Sequence, residues 1–506
     1  VNLSEIAAAH PDKDAIVLAD GSARVSFADL DRRSVRLADF FAAQGLAPGD
    51  HIAIVMENRP EFLEVAWAAQ RCGLMYTPVN WHLTAAEAEY VVNDCGARML
   101  ISGAGVGGLA ARILAGAPGV ETAIGVGGPI DGHLDYESIV EGPAAPVAHE
   151  PVEGYYFFYS SGTTGRPKGI EPTHDFPPFG TGLGLDHMMP AYGVDSSTVY
   201  LCPAPLYHAA PLGWSLAMQR QGATVVVMPS FDAQQCLSAI EEHSVTHAQF
   251  VPTMFVRMLK LDPAVRSLFD VTSLRLVVHA GAPCPVPVKQ QMIEWFGPVL
   301  FEYYSGSEGN GMTAITSPEW LSHPGSVGRA VYGKVHIVDD AGTELPTGEV
   351  GTVYFAGTRE FRYLNDPAKT EGARNQRGWQ TIGDLGHLDA DGYLYLSDRR
   401  SDLILSGGVN IYPQEIESAL IMHPAVADVA VIGLPDDEMG ERVHAVVELA
   451  EGVTAGDTVA DALIAHSRIH LAGFKQPRSM DFVDEVPRTP AGKLLRRRLR
   501  EASPAS

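Results

Sequence analysis

The chain has 506 residues, 46% hydrophobic and 19% charged, a globular balance at a length that calls for two or more domains. Its 36 basic and 61 acidic residues leave a formal net charge of −25, which argues against general binding to nucleic acid or to an anionic membrane. The five cysteines (Cys72, Cys95, Cys202, Cys236, Cys284) form no CxxC pair, which excludes a disulfide framework or a cysteine zinc site and fits a reducing compartment. No apolar run reads as a transmembrane helix, and VNLSEIAAAHPDKD at the start is no signal peptide, so a cytoplasmic protein is expected.

Strand and helix signals alternate through the first third. His51–Met56 is a compact apolar run that predicts a buried strand, and Pro60–Gly73 follows with helical spacing, its proline suited to a first turn. Leu74–Asn80 is the next strand, Thr84 and Glu87 form a capping-box pattern before a helix, and Ala97–Ser102 is a third strand. Repetition at this pitch predicts parallel strands with crossover helices. GAGVGG (Gly103–Gly108) then fits GxGxxG, after a strand and before a helix-like run. It supports the rival reading of an NAD-binding oxidoreductase, although Glu121 and Asp131, the candidate ribose acids, are poorly placed.

Tyr155–Ser160 reads as one apolar-aromatic strand that runs into a polar loop, SSGTTGRPKG. Ser160, Ser161, Thr163 and Thr164 supply hydroxyls, Gly162, Gly165 and Gly169 let backbone N–H groups turn inward, and Lys168 adds a point charge. Such a loop suits a triphosphate. It is not a Walker A motif, because Pro167 stands where the second glycine belongs.

Strands are expected again at Ala223–Met228, Val245–Phe250, Leu274–His279 and Val299–Tyr304, with a helix at Ala233–His243. From about Gly333 two strand-like runs joined by Gly- and Pro-marked turns predict antiparallel structure. After about Arg399 the strands Val426–Leu434 and Arg442–Ala450 and an amphipathic helix around Asp461–Ala472 make a small α+β domain. His466 and His470 have zinc-helix spacing, but HSRIH lacks the adjacent glutamate; His243 and His247 straddle a helix–strand junction.

The Ser160–Lys168 loop resembles the phosphate-binding signature of the adenylate-forming superfamily, which holds acyl-CoA synthetases, peptide adenylation domains and beetle luciferases. Further motifs along nearly the whole chain resemble that family in order. EYYSGSEG (Glu302–Gly309) resembles its Tyr-Gly-x-Thr-Glu element. The resemblance places Glu302, Tyr303 and Tyr304 at the nucleotide, with Tyr304 near the adenine, Ser307 on the α-phosphate and Glu308 on Mg²⁺. HAGAPC resembles the segment lining the adenine and acyl pocket, with Gly281, Ala282 and Pro283 small enough for a flat ring. Asp384 resembles the carboxylate that holds both ribose hydroxyls, and Arg399 the arginine near the ribose. Ile382 departs from the usual threonine. Ser401 stands at the hinge position, usually Asp or Lys. Gly407 and Gly408 resemble the glycines that let the pantetheine arm pass, and Lys493 the catalytic lysine.

The resemblance implies an α/β fold: a large N-terminal domain (1–399) of parallel αβ layers with a β-rich subdomain, then a small mobile α+β domain (400–506). It implies an acyl-CoA synthetase using ATP, Mg²⁺ and coenzyme A, and allows a homodimer. PLYHAAPLG (Pro205–Gly213) has no Asp to pair a substrate ammonium, which disfavours an amino acid. His208 resembles the gate of aryl- and fatty-acyl-CoA ligases. The acyl-site candidates His208, Val251, Thr253, Phe255 and Ala282, with the small residues of Gly180–Gly184, favour a lipophilic acid. With no carrier domain after Ser506, free CoA is the simpler acceptor, and a carrier protein is the alternative. Lys475 and Arg478 are candidates for the CoA phosphates.

Overall fold

The computed structural model of the chain describes residues 2–142, 151–160, 167–182, 184–399, 402–407, 409–436, 438–489, 492 and 494–502. It comprises two compact units. The first is Val1–Phe250, Pro263–Val277 and Phe361–Thr370.

This unit holds a six-stranded sheet in the order Leu134–Asp135, Thr122–Val126, Met99–Gly103, His51–Val55, Met75–Pro78, Tyr155–Tyr156. Every pairing in it is parallel. Met75–Pro78 and Met99–Gly103 are buried at each position, the pattern of strands covered on both faces. The crossover helices start where the sequence signals them. Pro60 opens the helix Pro60–Arg71, and Thr84 and Glu87 close a reciprocal capping box on Ala85–Asp94. A second set runs His247–Phe250, Val199–Cys202, Thr224–Val227, Asp14–Leu18, Arg24–Ser26. Its pairings are parallel except the last.

The aromatic run 155–160 is not one strand. Tyr155–Tyr156 pairs in parallel with Met75–Pro78, whereas Tyr159–Ser160 pairs antiparallel with Lys168–Glu171. A continuous strand would send alternate rings to opposite faces. By changing sheets the chain buries Phe157 and Phe158 together.

GAGVGG does follow a strand (Met99–Gly103) and precede a helix (Gly107–Gly116). The space its glycines leave is taken by Glu57. A Cβ on Gly103 would lie 2.1 Å from Glu57 Oε2, and one on Gly105 1.6 Å from Oε1. A carboxylate there opposes a pyrophosphate, so the motif is a packing device for a side chain of this chain.

The second unit is Val251–Asp262, Val278–Glu360 and Glu371–Ser506. Leu300–Ser305, Met312–Thr316 and Arg329–Tyr332 form an antiparallel set. Lys334–Val338, Gly351–Ala356, Asp384–Leu388 and Leu394–Arg399 form a four-stranded antiparallel sheet around Val335, Ile337, Val353, Phe355 and Leu394. A further sheet runs Val409–Ile411, Ile404–Ser406, Gly440–Leu449, Val426–Asp436, with Ser479–Val483 beside Gly440–Leu449. The helices Pro413–Leu420 and Asp457–His470 pack together beside it. Among the described residues no helix is long and apolar enough to cross a membrane.

Two buried charges of the first unit, Arg220 and Glu153, are paired with each other. Arg220 lies over Trp67 and grips the fully buried Glu153 carboxylate (Nη2–Oε2 2.8 Å, Nη1–Oε1 3.1 Å). Glu153 also accepts from the Gly180 and Gly182 amides at 2.7 and 3.3 Å, drawing that glycine-rich segment onto itself. Removing one partner of such a pair strands a buried charge. Arg220→Met is therefore expected to lower the stability of the first unit by about 3–5 kcal/mol. The check is the denaturant midpoint of that unit, and an unchanged midpoint would mean that the pair carries no net weight.

Candidate active site

In the first unit, Ser160 and Lys168 are cross-strand partners, which brings the two ends of the polar segment together. Ser161, Gly162, Thr163, Thr164 and Gly165 lie outside the described residues. The Lys168 ammonium meets Asp366 Oδ2 at 2.6 Å, while the other Asp366 oxygen accepts from the Lys369 amide at 3.0 Å. Gly169 is required by packing, since a Cβ there would lie 2.7 Å from the Phe157 ring. His208 stands at the start of the helix Ala209–Arg220, its ring 4.6 Å from that of Tyr207. The approach to it is fixed by Asn58, which is buried, donates to the Ala204 and Met228 carbonyls at 3.0 and 2.9 Å and accepts from the Leu206 amide at 2.8 Å.

The second unit collects most of the other candidates. Tyr304, near the end of Leu300–Ser305, donates its hydroxyl to Asp384 Oδ2 at 2.6 Å. Asp384 is buried at the start of Asp384–Leu388, directly across from Arg399 in the antiparallel register. Two motifs eighty residues apart in sequence thus meet at one hydrogen bond.

The strand carrying Tyr304 is fixed from inside. Glu302 is buried, and its carboxylate meets the Lys289 ammonium of the helix Val286–Phe296 at 2.5 Å. Lys289 lies over the Trp320 ring, and His279 Nε2 is 3.8 Å from the same carboxylate. Burial pushes the Glu302 carboxyl pKa up, with Lys289 acting against it; burial, then Lys289, holds His279 well below the usual imidazole range. The Glu302 carboxylate is thus taken up in the interior by Lys289, where it fixes the strand that carries Tyr304. Tyr303 sits between Glu302 and Tyr304 and is half-buried.

Beyond Tyr304 the chain turns back at Gly306–Gly311 into Met312–Thr316. Ser307 is exposed on this turn and Glu308 partly so. A Cβ on Gly306 would lie 2.8 Å from Glu308 Oε2, 2.9 Å from Asn310 Oδ1 and 3.1 Å from Ile382 Cδ1. Two oxygens thus gather around one glycine. Asn310 is buried, and its Oδ1 accepts no hydrogen bond among the described residues. An orphaned buried oxygen beside a carboxylate fits a hard cation such as Mg²⁺. Ile382, in the usual threonine's place, packs at this turn.

Gly281, at φ +86°, approaches Val251, whose Cγ1 would be 3.7 Å from a Cβ placed there. Ala282 is half-buried and Pro283 exposed. Val251 and Thr253 stand at the start of the helix Pro252–Leu259, whereas Phe255 is fully buried with its ring edge-on to His279. Gly407 (φ +58°) opens the turn between Ile404–Ser406 and Val409–Ile411 and leaves room for Met439, whose Cε would be 2.4 Å from a Cβ. Lys475 is paired with Glu415 at 2.6 and 2.8 Å. Gly408, Ser401 and Lys493 lie outside the described residues, as does the Arg399 side chain. Gly492, which precedes Lys493, is buried against Thr253 and Val251.

Sequence reasoning missed Asn58, Lys289, Asn310 and Asp366. Only Asn310 carried a signal, as a polar residue just past Glu308 in SEGNG; the other three become visible once strands are paired.

The family model described as AMP-binding enzyme matches residues 3–362, and that of the AMP-binding enzyme C-terminal domain matches 415–493. A fatty acid–[acyl-carrier-protein] ligase of Streptomyces coeruleorubidus is 33% identical over 99% of this chain and 96% of its own. A long-chain-fatty-acid–CoA ligase of Mycobacterium tuberculosis is 31% identical over 99% and 97%. The solved structure of o-succinylbenzoate CoA synthetase from Bacillus subtilis, in complex with its acyl-adenylate intermediate, matches with a TM-score of 0.80. It is 28% identical, covering 100% of this chain and 98% of that one.

The turn after Tyr304 offers a direct test of its packing. Gly311 sits at φ +151°, and a Cβ there would lie 2.1 Å from the Phe355 ring. Gly311→Ala should cost about 1–3 kcal/mol through overpacking, read as a lower melting temperature. A variant as stable as the parent would contradict this packing.

Proposed function

The chain belongs to the family of AMP-binding enzymes, and we propose that its reaction is the AMP-forming ligation of a carboxylic acid to coenzyme A. In the first half-reaction the acid's carboxylate attacks the α-phosphate of ATP, giving an acyl-adenylate and pyrophosphate. In the second the CoA thiol attacks the acyl carbon, and AMP leaves. The observation that carries this reading is the Tyr304–Asp384 hydrogen bond, because it joins the adenine-side and ribose-side candidates in one place.

A carboxylate and a triphosphate repel each other, so the chain's task is neutralisation and alignment. No general base is needed, since the nucleophile is ionised at pH 7. Asp384 accepts from the ribose hydroxyls, and Arg399 on the facing strand reaches the same sugar. Tyr304 and Gly281–Pro283 take the adenine, and Ser307 the α-phosphate. Ser160, Lys168 and the loop between them take the pyrophosphate end; Lys168 must then exchange Asp366 for phosphate. Glu308 and Asn310 would hold Mg²⁺, which supplies charge neutralisation on the phosphates when bound. Lys493 bridges the carboxylate and the α-phosphate, a role supported by Gly492 against the acyl-site candidates Val251 and Thr253. Hinge motion about Ser401 then withdraws Lys493 and presents Gly407 and Gly408 to the pantetheine arm.

The acid is lipophilic: none of the acyl-site candidates His208, Val251, Thr253 and Ala282 is a carboxylate that could pair an amino acid's ammonium. A carrier protein is the alternative acceptor, favoured by the match to the Streptomyces ligase.

Lys493→Ala is expected to slow acyl-adenylate formation by roughly 10²-fold, the scale of one preorganised donor, while thioester formation from supplied acyl-adenylate continues. Equal loss in both half-reactions would defeat the assignment.

A further inference from the structure

The helix Pro252–Leu259 meets C-terminal segments at both of its ends, a loop residue at its start and a sheet strand just past its end, all within the second unit. At its start, Gly492 lies so close that a Cβ would be 2.6 Å from Thr253 Oγ1. Just past its end, the exposed Lys260 donates its ammonium to the carbonyl of Val426, and to that of Ala427 at 2.8 Å. Val426–Asp436 is the edge strand of its sheet, and its ladder with Gly440–Leu449 slips register between Val426 and Asp428, leaving Ala427 out of the pairing while Val426 stays opposite Leu449. Such bulges re-aim groups that regular pairing would use.

The two contacts are also linked through the C-terminal part itself. Asp428 holds Arg488 in a forked ion pair (Nε–Oδ2 2.5 Å, Nη2–Oδ1 2.8 Å), and Arg488 Nη1 donates to the Gly492 carbonyl at 2.8 Å. Lys260, the bulge, Asp428, Arg488, Gly492 and Thr253 therefore make a closed ring of contacts. The points of attachment lie about 10 Å apart along the helix, so they fix orientation as well as position.

We infer that Lys260 is a positioning residue for acyl-adenylate formation: it fastens the Val426–Ala427 bulge to the helix Pro252–Leu259 in the arrangement that lays Gly492 on Thr253. The inference rests on the reaction proposed above. A charge-assisted bond to two carbonyls is strong enough to favour one arrangement, and a single exposed side chain can release it when the second half-reaction needs the other. Since Lys260 is exposed, replacing it opens no cavity in the core.

The test is a single-turnover comparison of the full-length chain with Lys260→Met and Lys260→Arg. It measures acyl-adenylate formation, thioester formation from supplied acyl-adenylate, and melting temperature. Lys260→Met is expected to slow the first step about tenfold, the scale of a lost charged hydrogen bond. It should leave the second step and the melting temperature unchanged, and Lys260→Arg should recover most of the rate. Equal slowing of both steps, or a fall in melting temperature that accounts for it, would overturn the inference in favour of a structural role. A Lys260→Met chain that adenylates normally beside an active parent overturns the inference alone. A parent that forms no adenylate from any acid overturns the reaction reading and this inference with it.

Discussion

The Tyr304–Asp384 hydrogen bond is the point on which the second unit's site geometry depends. Each partner sits on a strand fixed by something else. Tyr304 is held because Glu302, two residues before it, is locked to Lys289 in the interior. Asp384 is held because its strand is paired on both sides, with Gly351–Ala356 and with Leu394–Arg399. The bond couples these two supports, so a shift in either would move both groups proposed to hold the nucleoside. The hairpin Leu300–Thr316 extends the same logic to the metal candidates, since the turn that follows Tyr304 carries Glu308 and Asn310.

A chain with a net charge of −25 that handles anionic substrates has to place its cations with care. Inside the first unit Arg220 and Arg33 are committed to the buried carboxylates Glu153 and Glu64, and in the second Lys289 is committed to Glu302. These pairs set conformation and are not available to a ligand. Lys168 differs. Its side chain and that of its partner Asp366 are both still reached by solvent, so phosphate can replace the carboxylate without uncovering a buried charge. Where cations are scarce, backbone amides and hydroxyls take more of the phosphate charge, as the composition of the Ser160–Lys168 loop suggests.

Much of the fold is legible in the sequence where local pattern and burial agree. Apolar runs such as His51–Val55 and Thr224–Val227 are strands within a residue or two of their expected limits, and the Thr84–Glu87 capping box is present as read. The failures come where tertiary packing overrides pattern. The aromatic run 155–160 divides between sheets because Phe157 and Phe158 both need covering. The helix expected at Asp461–Ala472 spans Asp457–His470, since no capping side chain marks its start. GAGVGG keeps the strand–loop–helix setting of a dinucleotide motif while Glu57 fills its space, and no local rule could reveal an acid more than forty residues upstream in sequence. The candidate site was read as a series of motifs. Its supports were not, because Lys289–Glu302, Lys168–Asp366 and Lys260 with Val426 and Ala427 are contacts between distant segments.

The central claim is that this chain activates a carboxylic acid as its adenylate and hands it to CoA. The most direct measurement is pyrophosphate release from ATP and Mg²⁺ across a panel of fatty, aryl and amino acids, with and without CoA. The account predicts release that depends on a lipophilic acid, is accelerated by CoA, and ends in AMP and a thioester. Acid-dependent release that CoA leaves unchanged, or no release with any acid, would contradict it.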